Sequence, residues 1–527
     1  MKIMKINSTI GAWSLAASVL CLGFATRLPA APPPYYLKVD ANSNQVWLEG
    51  TMLGTCLVSD KVNRNTDWTV FKNTFNRVDA PKGIGLRTLE YPTGTLDDPE
   101  RKVNGKLYDY PNCGPTDGVN LLDVMEFYQN NVPAITLILN VPVYRFLSQD
   151  EIVLLPKAEE YARNLVTAVN IDKIYHPNVP EGVEKKKVTY WELGSECYRF
   201  DIPKVAPGDP PQLTPTKYAR IVYAQAKAMR EVDQDVKCII GFDRNHPSKT
   251  EEIYNKLHDI DEHWNTYIQK CTPHALPGSD PTQLGNVPDS FLTGRQKLHL
   301  DNPDDEVVTQ WNTGAVPRFL ENGDPNPSFT TGLKNANWTL SLFKKMTEGG
   351  IRTLACNFTL MFGHNTGSSY ANFFQSLANG NNDEGRIPGS LRPPGQVTRW
   401  LAEIINPGPL VAGGVWWVAS AAGTGTGTIM EPGKIDVLAF KRNSPAKLSV
   451  LIPCYQIDRY SNIYLTINDF TFSTVTMQRM YDGNPSSPDL HHPAEIQPAT
   501  FAVNGTTIQF QGNYNSFNEV IRLDLTP

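Results

Sequence analysis

From about residue 51 to residue 400, strand-like and helix-like segments alternate, and no other property of this sequence restricts its fold as strongly. Strand patterns fall at Ile84–Glu90, Ala134–Asn140, Val188–Leu193, Lys237–Phe242, Val307–Gln310 and Arg352–Leu360. Between them lie helical patterns at Asn120–Gln129, Ala158–Val169, Thr216–Glu231 and Asn337–Thr347. The clearest is Thr216–Glu231, where Tyr218, Ile221, Val222, Ala228 and Met229 share one face and Gln225 interrupts it. A strand before His274 is hard to see, because Tyr267-Ile268-Gln269-Lys270 is hardly apolar. Strands that alternate with helices imply a parallel sheet covered on its outside, an α/β fold. From about residue 405 the pattern becomes all strand: Lys434–Arg442, Ala446–Cys454, Asn462–Asn468, Thr474–Tyr481, Thr506–Gln511 and Val520–Leu525, with turn residues between. The expectation is a (β/α)8 TIM barrel over 51–404 and a C-terminal β-sandwich over 405–527. Residues 31–50, in which 35–50 read as a short hairpin turning at Asn42-Ser43-Asn44, should join their strands to the sandwich. Long polar insertions at 275–300 and 363–390 are expected as the loops that build a site at the barrel rim.

The N-terminus bears on location. Lys2 and Lys5 precede an apolar run from Ile10 to Phe24, followed by Arg27-Leu28-Pro29-Ala30-Ala31. That is the layout of a signal peptide, residues 1–30, cleaved after Ala30. Ser14, Ser18 and the shortness of the run argue against a membrane anchor. A secreted or periplasmic protein is expected, with no membrane association after cleavage. A net charge of -6 argues against nucleic acid as the main partner. The seven cysteines that would remain have irregular spacing and no C-x-x-C, so no metal and no cofactor is expected. Their odd number leaves at least one free thiol, and Cys238 and Cys356 lie in strand-like runs that should be buried. Cys197 should pack behind the barrel, since adjacent strand residues face opposite ways.

Two strand ends carry the chemistry. Val188-Thr189-Tyr190-Trp191-Glu192-Leu193-Gly194-Ser195-Glu196 and Val307-Val308-Thr309-Gln310-Trp311-Asn312 are β-branched runs that finish in polar and aromatic groups. Barrels deliver catalytic side chains from the C-terminal ends of strands. The first run resembles the acid/base strand, W-E-x-G-N-E, of the barrel glycosidases that include α-L-arabinofuranosidases, β-xylosidases and heparanase-like enzymes. The second resembles their nucleophile strand, T-E-W-N. The resemblance extends along the chain. Leu89-Glu90-Tyr91-Pro92-Thr93-Gly94-Thr95 looks like the family's L-R-x-P-G-G-x turn, and Asn140 like the asparagine that closes a following strand. Pro273-His274-Ala275-Leu276-Pro277 is similar to P-H-x-Y-P, whose histidine lines the sugar pocket. Asn337-Trp338 and the helix after it resemble the segment before the last strand. The resemblance implies a saccharide partner, Glu196 as general acid/base, and substrate contacts from Glu90, Asn140, Trp191, Ser195, His274 and Trp311.

The departures bear on mechanism. Gln310 stands where the family has its nucleophilic glutamate, Ser195 where it has an asparagine, Glu90 where it has an arginine and Leu276 where it has a tyrosine. An amide is a poor nucleophile and carries no charge to stabilise an oxocarbenium-like transition state. Glu306 lies four residues before Gln310, too deep in the same strand to substitute. Glu321, Asp324 and Glu90 are the candidates for a second carboxylate, Glu90 foremost because it should point toward the barrel rim, unless it pairs with Arg87. Three readings follow: an inverting hydrolase with Glu196 as acid and Glu90 as base; a substrate-assisted hydrolase in which Gln310 orients a 2-acetamido group; or an inactive carbohydrate-binding protein that keeps the groove. Tyr91, Trp191, Tyr198, Trp311 and Phe362 next to the strand ends would suit stacking on sugar rings and, equally, core packing between helix and barrel.

Overall fold

The structure, a computed structural model, describes residues 34–527 except 58–61, 66, 76–82, 94–101, 104–105, 132–133, 148–150, 196, 198–212, 276–286, 301, 312–332, 358–359, 364–371, 376–392, 407–413, 423–433, 456, 458–460, 482–494 and 513–517. The signal-peptide expectation lies outside the described residues, as do Glu196, Tyr198, Leu276, Glu321 and Asp324.

Eight parallel strands form the barrel. In chain order they are Gly54–Cys56, Thr88–Tyr91, Thr136–Val141, Tyr190–Leu193, Lys237–Gly241, Ile268–Thr272, Val308–Trp311 and Ala355–Asn357. Each of the first five pairs with the next, the eighth pairs with the first, and the seventh with the eighth. Bridges Cys271↔Glu306 and Ala275↔Trp311 close the ring between strands six and seven. The two-residue period of a strand sorts the side chains. Cys56, Ile138, Tyr190, Ile239, Val307, Leu354 and Cys356 pack together inside the barrel. Their sequence neighbours Leu137, Leu139, Trp191, Cys238 and Ile240 belong instead to the large core shared with the surrounding helices.

Helix Pro215–Val232 shows how local sequence sets this shell. Thr214 caps it by accepting a hydrogen bond from Lys217 N (3.2 Å), and Pro215 occupies the first turn, where no backbone donor is needed. Gln225, the polar interruption of its apolar face, is buried and donates to the Pro142 carbonyl at 2.9 Å. Helix Leu121–Asn130 starts with a reciprocal capping box between Asn120 and Asp123. The 275–300 segment is not all loop, because Val287–Lys297 is a helix that buries Val287 and Phe291. Strand one was illegible in the sequence: Gly-Thr-Cys is three residues with one small apolar side chain.

The second unit is a twelve-stranded sheet that folds over itself. Leu37, Val39, Val450, Ile452, Ile463, Leu465, Ile521 and Leu523 fill the space between its two halves. Residues 35–48 do contribute strands here, but not as a hairpin. Tyr35–Asp40 and Val46–Leu48 lie end to end along the one strand Val415–Ala422, both antiparallel to it, and Tyr35–Asp40 also runs parallel to Asn462–Asn468. The other side of the sheet packs on the barrel. There Phe440 lies 6.5 Å from Phe343 of helix Leu333–Glu348, and Asn337 donates to the Cys454 carbonyl at 2.9 Å. All seven described cysteines are buried.

Candidate active site

Strand four delivers Tyr190 and Glu192 to the barrel interior and Trp191 and Leu193 to the helix side. The chain then turns at Gly194, whose φ of +81° favours glycine; an added Cβ would also meet Cys197 Sγ at 2.6 Å and Val143 Cγ2 at 2.8 Å. That turn sets Ser195 against strand seven. Strand seven is itself irregular: Val308 pairs with Ala355 but Trp311 with Asn357, three residues against two. Such a bulge lets two successive side chains point the same way. Thr309 and Gln310 both make interior contacts as a result. Thr309 Oγ1 lies 3.0 Å from Thr272 Oγ1 and 3.3 Å from His274 Nε2. Gln310 Nε2 donates to Ser195 Oγ at 2.8 Å and to Glu90 Oε1 at 3.2 Å.

Glu90, from the end of strand two, is the centre of this ring. The same Oε1 accepts a second amide hydrogen from Asn140 Nδ2 at 2.8 Å, across the neighbouring strand. A short step round the barrel, His274 Nε2 lies 3.2 Å from Glu192 Oε1. Glu90 and Glu192 are both fully buried. Burial, and then the nearby Glu192 charge, push the Glu90 carboxyl up to about 7, against the opposing hydrogen bonds of Cys56 and Asn140. Glu90 Oε2, Glu192 Oε2 and Asn140 Oδ1 are buried and have no hydrogen-bond partner among the described residues. Unfilled acceptors clustered inside one ring are what a polar ligand or water would satisfy.

Four residues singled out from the sequence therefore meet, Glu90, Asn140, Ser195 and Gln310, and a fifth, His274, lies beside them on Glu192 and Thr309. Two do not join them. Trp191 is fully buried on the helix side, with its indole N–H donating to the Val188 carbonyl at 3.0 Å. Trp311 is 2% exposed and packs toward Phe343, ring centroids 6.4 Å apart. Strand alternation after the bulge turns it away from the interior. Tyr91 is likewise buried in the outer core and donates to the Val119 carbonyl. These three rings are packing residues, not a sugar platform. Glu196 lies outside the described residues; its neighbour Ser195 touches Gln310 directly. Glu90 meets Asn140 and Gln310 rather than Arg87. Glu306 sits at the other end of the barrel, 3.3 Å from Arg295, where burial pushes its carboxyl up to about 8. The residues that sequence reasoning missed are Glu192, Thr272, Thr309 and Cys56. A charged residue inside a short apolar strand, two positions from Gly194, was the available signal for Glu192. None existed for Thr309, because the bulge is not written in residue types.

No protein-family model and no curated protein matches the chain. Solved structures do. An α-L-arabinofuranosidase from Thermotoga maritima, solved with arabinose, superposes with a TM-score of 0.62 at 12% identity, covering 94% of this chain and 100% of that one. A family 51 α-L-arabinofuranosidase from Bifidobacterium longum gives 0.60 at 11%, covering 93% and 99%. A bifunctional glucanase-xylanase from a metagenome library gives 0.54 at 10%, covering 94% and 99%. At these identities the likeness is one of fold, along nearly the whole length of both chains: this chain has the barrel and sandwich of the arabinofuranosidase-like glycosidases.

Proposed function

We propose that this protein is an exported glycoside hydrolase of the arabinofuranosidase-like fold, acting on plant- or microbial-type polysaccharide or oligosaccharide by inversion. In this reading Glu196 is the general acid and Glu90 the general base. The observation that carries it is the Glu90–Gln310 contact: at the strand end that resembles the family's nucleophile strand, this chain has an amide hydrogen-bonded to a carboxyl from strand two.

The chemistry follows from what each group can do. Gln310 cannot attack, so no covalent glycosyl-enzyme forms on it. Inversion needs none. A base carboxylate removes a proton from water as the water attacks the anomeric carbon, while the acid protonates the leaving oxygen on the opposite face. Glu90 Oε1 is held by Asn140 and Gln310, which leaves Oε2 to take the water proton. A carboxyl near 7 is a stronger base than an ordinary glutamate and is about half ionised at neutral pH. The test is hydrolysis of aryl glycosides and oligosaccharides by the wild type, Glu196→Gln and Glu90→Gln. Loss of turnover in both variants supports the pair. Turnover that survives Glu90→Gln removes Glu90 as the base and favours substrate assistance.

One observation favours the binding-protein alternative. Both N–H groups of the Gln310 amide are used within the protein, on Ser195 and Glu90. A site closed on itself in this way suits holding a saccharide as well as cleaving one. Oligosaccharide binding with no hydrolysis by the wild type on any of those substrates would establish that alternative.

A further inference from the structure

Glu192 is a second fully buried carboxyl in the same ring, and the proposed hydrolysis gives it no step. It is strand-register partner to Asn140, whose amide holds Glu90. Its Oε1 meets His274, and the same histidine nitrogen meets Thr309, the residue before Gln310. The Glu192–His274 pair therefore flanks the Asn140–Glu90–Gln310 ring on two sides, by strand register at Asn140 and through the residue before Gln310. We infer that Glu192 and His274 form a positioning pair, a buried carboxyl held by its histidine, that fixes this ring and sets the electrostatic surroundings of Glu90. The inference rests on Glu90 as the base of the proposed hydrolysis.

The groups around Glu90 narrow the cause. Cys56 faces it from strand one and Cys356 from strand eight, and burial raises both thiols far above their usual range, so both stay neutral. Asn140 and Gln310 are amides. Among the described residues, this leaves Glu192 and His274 as the side chains able to place charge on Glu90, and they act in opposite senses. A like charge in a dry site makes a carboxyl hold its proton more tightly, and a histidine beside it counteracts this. Neither needs to touch substrate.

The experiment is pH-difference infrared spectroscopy of the full chain without substrate, with the Glu90 carboxyl band assigned as the one absent in Glu90→Gln. The expected wild-type midpoint is about 7. In Glu192→Gln the midpoint should fall by about one pH unit or more, whereas in Glu192→Asp, which keeps the charge, it should fall less. In His274→Gln it should rise. A residue that only supports packing would change unfolding temperature and leave these midpoints in place. An unmoved midpoint in folded Glu192→Gln overturns the inference. If that variant does not fold, an unmoved or lowered midpoint in His274→Gln overturns it instead, as does a wild-type midpoint in the ordinary glutamate range. Because the band is read without turnover, a protein that hydrolyses nothing still reports on the pair, so failure of the hydrolase reading and failure of this inference are told apart.

Discussion

Replacing Glu90 by glutamine should stabilise the protein, and by an amount that depends on pH. The folded carboxyl titrates at about 7 against 4.5 for an ordinary glutamate. In the folded state it therefore binds its proton more tightly than in the unfolded chain. Below about 4.5 both states are protonated and the group costs nothing. As pH rises from there through 7, the unfolded chain ionises freely while the folded one resists, and stability is lost. Above that window the loss is complete, about 3 kcal/mol at 1.36 kcal/mol per unit. Glutamine keeps an oxygen to accept from Asn140 and Gln310 and has no charge to bury. The stability difference between Glu90→Gln and wild type should thus grow from near zero at about pH 4.5 to about 3 kcal/mol in favour of the variant above about pH 8. Glu306, whose carboxyl also sits high, is present in both proteins and cancels. Denaturant titrations of the two proteins across that range would show it. A difference that stays flat with pH, or a wild type that gains on the variant as pH rises, would refute the reasoning.

Other expectations follow from the same contacts. Gln310→Glu alone should give little turnover by a retaining route, because it sets two carboxyls about as close as the present 3.2 Å contact, where they must share a proton. Gln310→Glu combined with Glu90→Arg rebuilds the arginine–glutamate pair of the resembled family, and should form a trappable glycosyl-enzyme more readily than the single variant; equal trapping by both would count against it. Activity of the wild type should fall as pH drops through about 7, since the base must be ionised, and a pH–rate profile with its acid limb near 4.5 would contradict that. Trp311→Ala should cost about 3–5 kcal/mol in unfolding free energy, because it empties a site in the core beside Phe343. A variant of unchanged stability would show instead that Trp311 lines the pocket.

What could be read from the sequence was what periodicity and residue type encode. Strands such as Val188–Leu193 and Lys237–Phe242 alternate or run apolar long enough to be seen, and the observed strands Tyr190–Leu193 and Lys237–Gly241 fall inside them. Gly54–Cys56 and Ile268–Thr272 were obscure because their place is set by neighbours on both sides, not by their own hydrophobicity. In the site, Glu90, Asn140, Ser195, His274 and Gln310 were legible as polar residues at strand ends. For the tryptophans beside them the sequence allowed both pocket and core, and they lie in the core. Alternation sends Trp191 outward next to inward Glu192, and the bulge in strand seven shifts the phase so that Gln310 faces in and Trp311 out. The network among the five depends on side-chain reach across five strands and the turns that follow them, which a linear pattern does not express.

The measurement that bears most directly on the central claim is the stereochemistry of the first product. Proton NMR during hydrolysis of an aryl α-L-arabinofuranoside, or of whichever glycoside the wild type cleaves, reports the anomer released before mutarotation. Glu90 as base and Gln310 as an unreactive amide predict inversion at the anomeric carbon, lost in Glu90→Gln. Release of the retained anomer would contradict the account, because it requires a nucleophile that Gln310 cannot be and that Glu90, assigned to water, is not.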